Sequence, residues 1–349
     1  MDPGVLRILD ANLNRSREGL RVVEDYARMV LNDDGLTARI KDFRHSIAAL
    51  ADSIGPHSML AARDTPGDVG TRISVADEQF RENPARVATA ALKRVGEALR
   101  CIEEFSKIEC LSAATGAEKL RYELYSIEQD ALLTCPRRQR LSRARLHVLV
   151  TASLCRGDWL DVCHRVLAGG AEVLQLREKD LPDCELLARA RTMREITRAH
   201  NALLIINDRP DIARLADADG VHVGALDLPV VAVRQIAGPT MLVGKSTHSV
   251  DDARAAIAEA PDYIAVGPMF RSPTKPDVPV QGPSLLAEVA VLTDLPIVAI
   301  GGVTAQNMDR LRAPRHFAVA VSSAVIGAAD PEAAVRGLLT ALPRDPLIT

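Results

Sequence analysis

The chain has 349 residues, 47% of them hydrophobic and 26% charged, and its formal net charge at pH 7 is −3. This length and composition predict a soluble globular protein of about two domains, and the lack of a basic excess argues against a nucleic-acid partner. No apolar stretch approaches membrane-spanning length, and the N-terminal sequence Met-Asp-Pro-Gly lacks a signal-peptide pattern. We therefore expect no membrane partner and a cytoplasmic location.

The cysteine pattern agrees with that location. Six cysteines are scattered along the sequence without a Cys-x-x-Cys pair, which favours reduced thiols over disulfides or a zinc site. They are Cys101, Cys110, Cys135, Cys155, Cys163 and Cys184.

Residues 1–135 are rich in Ala, Leu, Arg and Glu and are predicted to form an all-α domain. They contain an internal repeat: residues 11–28 align without gaps on residues 90–107, with seven of 18 positions identical. After one inserted residue, residues 39–47 continue against residues 119–127. A duplicated helical pair packed about a pseudo-two-fold axis is the simplest architecture.

Four charged residues recur in both copies at a three-residue, helical spacing. They are Arg15, Glu18, Arg21 and Glu24 in the first copy and Arg94, Glu97, Arg100 and Glu103 in the second. One interpretation is an ion-paired helix surface. The other is a polar cleft shared by the two copies and closed by the Gly/Pro-containing loop Arg63–Gly70.

Residues 136–145 carry five arginines and little apolar sequence. This composition predicts an exposed, charged linker between two domains. RNA binding by the arginines is the disfavoured alternative.

From residue 146 to residue 349 the sequence repeats a short apolar run, a polar or glycine-rich turn and a helix-like segment. Continuous runs of Val, Ile and Leu are typical of parallel strands covered on both faces. Eight such units predict an α/β fold, a TIM (β/α)8 barrel that follows the all-α domain. The runs are Leu146–Ala152, Glu172–Leu176, Leu203–Ile206, Gly220–Val223, Met241–Gly244, Tyr263–Val266, Pro296–Ile300 and Phe317–Val321.

Polar residues follow seven of these runs, at the strand ends where barrels place their chemistry. The groups are Gln175 to Lys179, Asn207 to Arg209, His222 with Asp227, Lys245 to His248, Ser272 to Lys275, Gly301-Gly302 and Ser322-Ser323. We expect positioning or packing roles for His222 and His248, because neither has a metal-ligand partner at a telling spacing.

Asp208 and Asp227 follow adjacent predicted strands, so their carboxylates can share one hard cation. Mg²⁺ takes one or two carboxylates and leaves its other positions to water and substrate phosphates. Arg177, Lys179 and Lys275 would surround a diphosphate there, and surface ion pairs are the alternative role for each cation.

A second anion site is predicted from the glycine pair and the serine pair after strands seven and eight, where barrels often bind phosphate. Ser272 and Thr274 precede Lys275 in the loop after strand six and can present two hydroxyls to phosphate oxygens. Two anion sites, one of them with a metal, indicate two phosphorylated small-molecule substrates.

Seven ordered motifs in the barrel half resemble those of the thiamine-phosphate synthase family. They are Gln175–Lys179, Asn207–Arg209, Gly220–Gly224 with Asp227–Pro229, Gly244–His248, Gly267–Lys275, Ala299–Gly302 and Ser323-Ala324. The resemblance implies a Mg²⁺-using transferase that joins hydroxymethylpyrimidine diphosphate to hydroxyethylthiazole phosphate and releases diphosphate. Such a reaction needs no protein nucleophile, and the sequence offers no Ser-His-Asp or Cys-His pattern.

The resemblance also implies roles for individual residues. The pyrimidine diphosphate would be bound by Gln175, Leu176, Arg177, Glu178, Lys179, Asn207, Ser246 and Lys275, of which Arg177, Lys179 and Lys275 would stabilise the departing diphosphate. Asp208 and Asp227 would hold Mg²⁺. The thiazole phosphate would be bound by Ser272, Thr274, Gly302, Ser322 and Ser323.

The sequence departs from the family pattern in two places. Ser272 stands where Thr is usual and keeps the hydroxyl, whereas Ala313–Phe317 replaces a Gly-containing turn before strand eight and puts the shape of that loop in doubt. The N-terminal half resembles an extension of some bacterial members for which a pyrimidine-phosphate kinase role has been suggested. The sequence has no P-loop to support that role.

Two other functions compete with the transferase. A related barrel isomerase would act on the thiazole phosphate alone, but it would need no diphosphate-Mg²⁺ site. The residues that argue against it are Lys179, Asn207, Asp208, Asp227 and Lys275. A non-catalytic scaffold is the weaker alternative. The sequence leaves homo-oligomerisation open.

Overall fold

The structure, a computed structural model, describes residues 1–64, 81–272, 279–313 and 317–343. By its internal contacts the chain divides into two compact units, Met1–Pro136 and Arg137–Thr349. None of the helices in these described ranges is both long and apolar enough to cross a membrane.

The described part of the first unit is helical, and its helices repeat in pairs. Helices α1 and α2 of the first copy recur as α4 and α5 of the second, as the internal repeat predicts. Each copy starts with a proline in the first turn, behind a side chain that caps the helix: Asp2 accepts from Gly4 N at 2.8 Å, and Asn83 accepts from Arg86 N at 3.0 Å. The helices are α1 (Pro3–Asp25), α2 (Asp34–Ile54), α3 (Pro56–Ala62), α4 (Pro84–Ser106) and α5 (Leu111–Gln129).

Close packing of α1 against α4 depends on a small residue. A Cβ atom added at Gly19 would lie 2.6 Å from Val95 Cγ2 and 3.2 Å from the Ala91 carbonyl oxygen, so the two helices approach at this position more closely than a side chain would allow. Around this contact the two copies bury equivalent side chains, such as Leu20 of α1 and Leu99 of α4, both fully inaccessible to solvent. The core of this unit therefore forms between the copies.

The recurring charged residues divide into exposed and buried members. Arg21 and Arg100 are exposed, whereas Glu24 and Glu103 are only 2% and 3% exposed. Each buried glutamate pairs with an arginine on the second helix of its own copy: Glu24 with Arg44, and Glu103 with Arg121 Nε at 2.9 Å. These contacts support the ion-paired interpretation. The loop proposed to close a shared cleft lies outside the described residues from position 65 onward.

The second unit contains the predicted closed barrel of eight parallel strands, each paired with its two neighbours in sequence order. The strands are β1 (Leu146–Val150), β2 (Val173–Leu176), β3 (Leu203–Asn207), β4 (Gly220–Val223), β5 (Leu242–Thr247), β6 (Tyr263–Val266), β7 (Ile297–Ile300) and β8 (Ala318–Val321). Strand β1 ends two residues before its predicted end, and β5 runs three residues beyond it.

Helices surround this sheet. Those after the first strand are α7 (Trp159–Ala168), α8 (Asp183–Ala199), α9 (Pro210–Leu215), α10 (Val230–Ala237), α11 (Val250–Ala258), α12 (Ser284–Ala290), α13 (Ser323–Ile326) and α14 (Pro331–Ala341). Alternate strand residues, such as Leu174 and Leu204, pack against the helices, while their neighbours, such as Val173 and Ile205, fill the barrel lumen. This alternation decides which polar residues at the strand ends can face a common site.

Residues 136–145 do not form the exposed linker predicted from their arginines. Most of the segment belongs to helix α6 (Cys135–Arg143), whose Leu141 is 3% exposed and packs with Ala144 against the lumen side chains at the amino end of the barrel. Arg138 Nε lies 2.6 Å from the buried Asp262, and Arg137 donates to the Thr240 carbonyl oxygen at 3.0 Å. The arginines were predicted to be solvated because their partners lie far along the chain: Thr240 is 103 residues from Arg137, and Asp262 is 124 residues from Arg138.

Candidate active site

A cavity of about 490 Å³ opens at the carboxyl ends of the strands. It extends from the loops after β6, β7 and β8 down into the lumen, where it reaches Leu149 and Tyr263. Its size suits one or two small ligands. The predicted site residues that line it are Gln175, Arg177, Asn207, Ser246, Ser272, Gly302, Ser322 and Ser323.

A hydrogen-bonded network lies at the bottom of this cavity. The imidazole of His222 contacts the Tyr263 hydroxyl through Nδ1 at 3.0 Å and the Ser246 hydroxyl through Nε2 at 2.9 Å. Burial lowers the pKa of His222 to about 4, so the ring is neutral near pH 7 and one nitrogen donates while the other accepts. The network therefore holds the Ser246 hydroxyl in place, and these contacts agree with the positioning or packing role expected of His222.

Gly244 makes room for this network. A Cβ atom at this position would lie 2.1 Å from Tyr263 Cζ and 2.5 Å from His222 Nδ1. Both contacts are far shorter than side chains allow, so a larger residue would displace both rings.

Two carboxylates and a lysine lie close together in the segments after strands β2, β3 and β4, and we call this group the rim. Its members, Lys179, Asp208 and Asp227, are not among the residues that line the cavity. Lys179 Nζ lies 3.5 Å from Asp208 Oδ2, and Asp227 accepts from Gly224 N at 2.7 Å, which turns its side chain back toward β4. Asp208 adopts a left-handed backbone with φ of 62° and donates its N–H to the His222 carbonyl oxygen at 2.8 Å. Burial and the neighbouring Asp227 raise the pKa of Asp208, while Lys179 opposes the rise. A cation placed between the carboxylates would relieve their repulsion.

The predicted diphosphate segment, Gln175 to Lys179, places its side chains on different sides of β2. Gln175 and Arg177 line the cavity, whereas Leu176 packs outward between sheet and helices. Glu178 turns away from the cavity: it accepts from Ala152 N at 2.8 Å and pairs with Arg189 of α8. Any contact of Leu176 with a substrate in the cavity would therefore be made by its backbone.

Lys245 does not contribute to the polar cluster at the end of strand five, contrary to the prediction. It lies within β5 and faces the helices, where its Nζ is 3.3 Å from the Leu228 carbonyl oxygen and 3.5 Å from Glu259. The error follows from ending β5 at Gly244, since the alternation of the longer strand sends Lys245 outward and Ser246 inward.

The loops after β6 and β7 support each other. Met269 N donates to Ile300 O and Phe270 N to Gly301 O, both at 2.9 Å. Gly302 has a φ of 63°, and a Cβ atom there would lie 2.4 Å from the Arg271 carbonyl oxygen. Glycine is therefore required where the two loops touch.

Three serines complete the cavity wall on this side. Ser272 precedes the segment 273–278, and Ser322 and Ser323 stand at the start of α13. Thr274 and Lys275 lie outside the described residues, and their predicted roles stay predictions.

Sequence reasoning missed several residues that line the cavity. Leu149, Tyr263 and Ile300 are apolar or aromatic members of the predicted strands, to which no role in the site was given. The alternation of side chains along each strand could have found them, because each lies at a position that faces the barrel lumen.

Comparisons with known proteins match the barrel residues and the helical residues to two family models. Residues 146–325 match the family model described as thiamine monophosphate synthase, and residues 7–130 match that of the ThiD2 family. The curated thiamine-phosphate synthase of Parasynechococcus marenigrum is 40% identical over 99% of this chain and 98% of its own length. That of Rhodopirellula baltica is 39% identical over 92% of this chain and 88% of its own length.

A solved structure supports the same conclusion for the barrel. Thiamine phosphate pyrophosphorylase from Pyrococcus furiosus superposes with a TM-score of 0.53 and 31% sequence identity, covering 58% of this chain and 96% of that chain. The two curated relatives extend the similarity over the helical unit as well, since their alignments cover 99% and 92% of this chain. The chain belongs to the thiamine-phosphate synthase family.

Proposed function

We propose that the carboxyl mouth of the barrel divides into two subsites, one for each substrate of the family's reaction. The chain is a transferase of thiamine biosynthesis. It condenses 4-amino-2-methyl-5-(diphosphooxymethyl)pyrimidine with 4-methyl-5-(2-phosphooxyethyl)thiazole and gives thiamine phosphate and diphosphate. What the proposal adds is the assignment of residues of this chain to each substrate.

The observation that carries the assignment is the pair Asp208 and Asp227 beside Lys179 at the rim. Below this rim Gln175, Asn207 and Ser246 line the cavity and offer amide and hydroxyl groups to an aminopyrimidine ring. We assign the ring to the lumen and its diphosphate to the rim, where Arg177 and Lys179 supply positive charge.

The acidic pair fits Mg²⁺. Two carboxylates of adjacent strands converge without a third: among the described residues, no group of three or more His, Cys, Asp or Glu side chains is arranged to hold a metal. A cation bound by Asp208 and Asp227 would keep positions for substrate phosphate oxygens, as Mg²⁺ sites commonly do. Mg²⁺ bound there would neutralise charge that develops on the diphosphate.

We assign the thiazole phosphate to the opposite wall, at Gly302, Ser272, Ser322 and Ser323, with Thr274 as a further candidate. Support comes from their position on the cavity and from the tight, glycine-dependent contact between the loops after β6 and β7. The lumen between the two subsites has room for the two heterocycles to meet.

The residues then act by positioning and by charge. As the bond between the pyrimidine methylene carbon and the diphosphate oxygen breaks, the electron pair leaves with diphosphate, and Arg177 and Lys179 stabilise that charge together with Lys275. The aminopyrimidine ring donates electron density to the methylene carbon, and the thiazole nitrogen then forms the new carbon–nitrogen bond with its lone pair. The apolar walls Leu149, Val298 and Ile300 exclude water that would otherwise capture the carbon.

We also propose a cytoplasmic location, supported by the six free cysteines. All residues proposed for the reaction belong to the barrel unit.

Steady-state kinetics with both substrates tests the assignment of residues to the two subsites. Arg177→Ala should raise KM for the pyrimidine diphosphate on the order of 10-fold or more and leave KM for the thiazole phosphate nearly unchanged, because it removes a charge-assisted contact from one subsite. Ser323→Ala should show the reverse pattern. Equal effects on both KM values in both variants would overturn the assignment.

A further inference from the structure

We infer that Glu178, Arg189 and Trp159 form an anchor that positions Arg177 and Lys179 for the diphosphate of the pyrimidine substrate. The inference rests on the function proposed above, since it concerns how the diphosphate-binding segment is held. In the sequence Glu178 lies between Arg177 and Lys179, yet its side chain points away from the cavity. It is a positioning residue that acts through its neighbours.

The contacts of Glu178 satisfy a carboxylate that is largely buried. The side chain is 8% exposed, and the same oxygen, Oε1, accepts from Ala152 N at 2.8 Å and from Arg189 Nη1. A carboxylate removed from water is costly unless it is paired and hydrogen-bonded, and here both conditions are met. The geometry of the segment is therefore tied to these two donors.

The backbone on either side of Glu178 is held as well. Arg177 N donates to the Val150 carbonyl oxygen at 2.9 Å, and Thr151 Oγ1 donates to the Arg177 carbonyl oxygen at 2.6 Å. Together with the bond from Ala152 N, these contacts fix the segment after β2 to the segment after β1. The direction of the Arg177 side chain into the cavity follows from this clamp.

Arg189 connects the clamp to the helices. Its guanidinium carbon lies 5.1 Å from the centroid of the Trp159 ring, so the indole of α7 supports the arginine of α8 through a cation–π contact. The planar guanidinium stacked on a ring is held in one orientation, which lysine could not reproduce. The anchor thus reaches the rigid outer layer of the barrel.

Removal of Glu178 should have opposite effects on diphosphate binding depending on whether Glu178 positions its neighbours or acts only through its charge. Glu178 is a negative charge next to a site for a diphosphate, so its removal would by Coulomb attraction alone tighten diphosphate binding. If Glu178 holds Arg177 and Lys179 in place, its removal must weaken binding instead. The two models predict opposite signs for one substitution.

Trp159 also provides the measurement. It is the only tryptophan of the chain, and within the anchor it contacts Arg189, so its fluorescence reports on the surroundings of Arg189. Inorganic diphosphate with Mg²⁺ is the probe, titrated into the full-length protein, and isothermal calorimetry gives the Kd independently. Steady-state kinetics with both substrates gives the two KM values.

We expect Glu178→Ala and Arg189→Met each to raise Kd for diphosphate and KM for the pyrimidine diphosphate on the order of 10-fold, with KM for the thiazole phosphate within about 2-fold. The double variant should be no weaker than the worse single variant, because both remove one anchor. Glu178→Gln keeps an acceptor for Ala152 N and should fall between parent and Glu178→Ala, which provides a testable variant should Glu178→Ala fail to fold. Arg198→Ala, on the same helix but in an exposed pair with Asp217, is the matched control and should match the parent.

Tighter diphosphate binding in Glu178→Ala, or unchanged binding in Arg189→Met, would overturn the anchor. Additive losses in the double variant would also overturn it, since they would indicate that Glu178 contacts the substrate itself. An error in the proposed subsites would be seen separately. In that case Arg177→Ala would leave the affinity for diphosphate unchanged, whatever the anchor variants show.

Discussion

A barrel fragment that starts at Leu141 should be markedly less stable than one that starts at Arg137. Both retain every strand and every described residue assigned to chemistry, so the comparison isolates residues 137–140 of α6. The shorter fragment loses Arg137, Arg138 and Arg140, which bind Asp219, Asp262, Thr240 and Asn201 at the amino end of the barrel.

The expected cost follows from two sets of contacts. A hydrogen bond to a charged group contributes about 1.5–3 kcal/mol, but Arg138 is half exposed and Asp262 keeps Arg234, so about 1 kcal/mol for each of Arg137 and Arg138 is the discounted figure. Leu141 would no longer be held over the lumen by a helix, and the burial of one leucine side chain contributes about 1.5–3 kcal/mol. The sum is roughly 4 kcal/mol, which for a domain of this size lowers Tm by about 8–16 °C.

Circular dichroism melts of the two fragments measure the difference, and diphosphate release from the two substrates shows whether each fragment retains the reaction. We expect the Arg137–Thr349 fragment to be folded and active, because the unit is compact by its own contacts. Equal melting temperatures would refute the role given to α6. A soluble, folded but inactive Arg137–Thr349 fragment would show that the helical unit contributes to the barrel reaction.

Three further predictions concern the site. Lys275→Ala should lower the rate of diphosphate release on the order of 10²-fold or more, as expected for loss of one preorganised electrostatic donor, and a rate within about 2-fold of the parent would remove Lys275 from the proposed role. Gly244→Ala should displace Tyr263 and His222 and raise KM for the pyrimidine diphosphate, whereas Gly337→Ala, at a position of α14 where an added Cβ meets nothing within 4 Å, should leave this KM unchanged. Burial lowers the pKa of His147 from 6.5 to about 3 and that of His222 to about 4. Below pH 6.5 the unfolded chain therefore binds more protons than the folded one, and stability that is present above pH 6.5 should be lost as the pH falls toward 3. Urea midpoints at pH 7.5 and pH 5 measure this loss, and a His147→Phe variant with undiminished acid sensitivity would exclude His147 as a source.

The barrel could be predicted because its strands are continuous apolar runs, a local property of the sequence. The ends of the strands were harder to predict. In the sequence Lys245 looks like the start of a polar loop, but it belongs to β5, where its ammonium contacts Glu259 and the Leu228 carbonyl oxygen. The helical repeat was visible in its identical residues, yet burial of Glu24 and Glu103 depends on Arg44 and Arg121, which lie in the second helix of each copy.

The candidate site shows the same limit. Arg177 and Lys179 could be proposed from their residue types and their position after a strand. The outward turn of Glu178 could not, because it depends on Ala152 and Arg189 in other elements. Likewise, α6 was missed because the carboxylates that bind its arginines come from distant strand starts.

The most direct test of the account measures diphosphate release as a function of Mg²⁺ concentration after treatment with a chelator, for the parent, Asp208→Asn and Asp227→Asn. The account predicts that release requires both substrates and Mg²⁺ and that each variant folds like the parent but reacts on the order of 10²-fold more slowly or worse, with a higher Mg²⁺ requirement. Parental rates and parental Mg²⁺ dependence in both variants would contradict the metal-assisted diphosphate site on which the account depends.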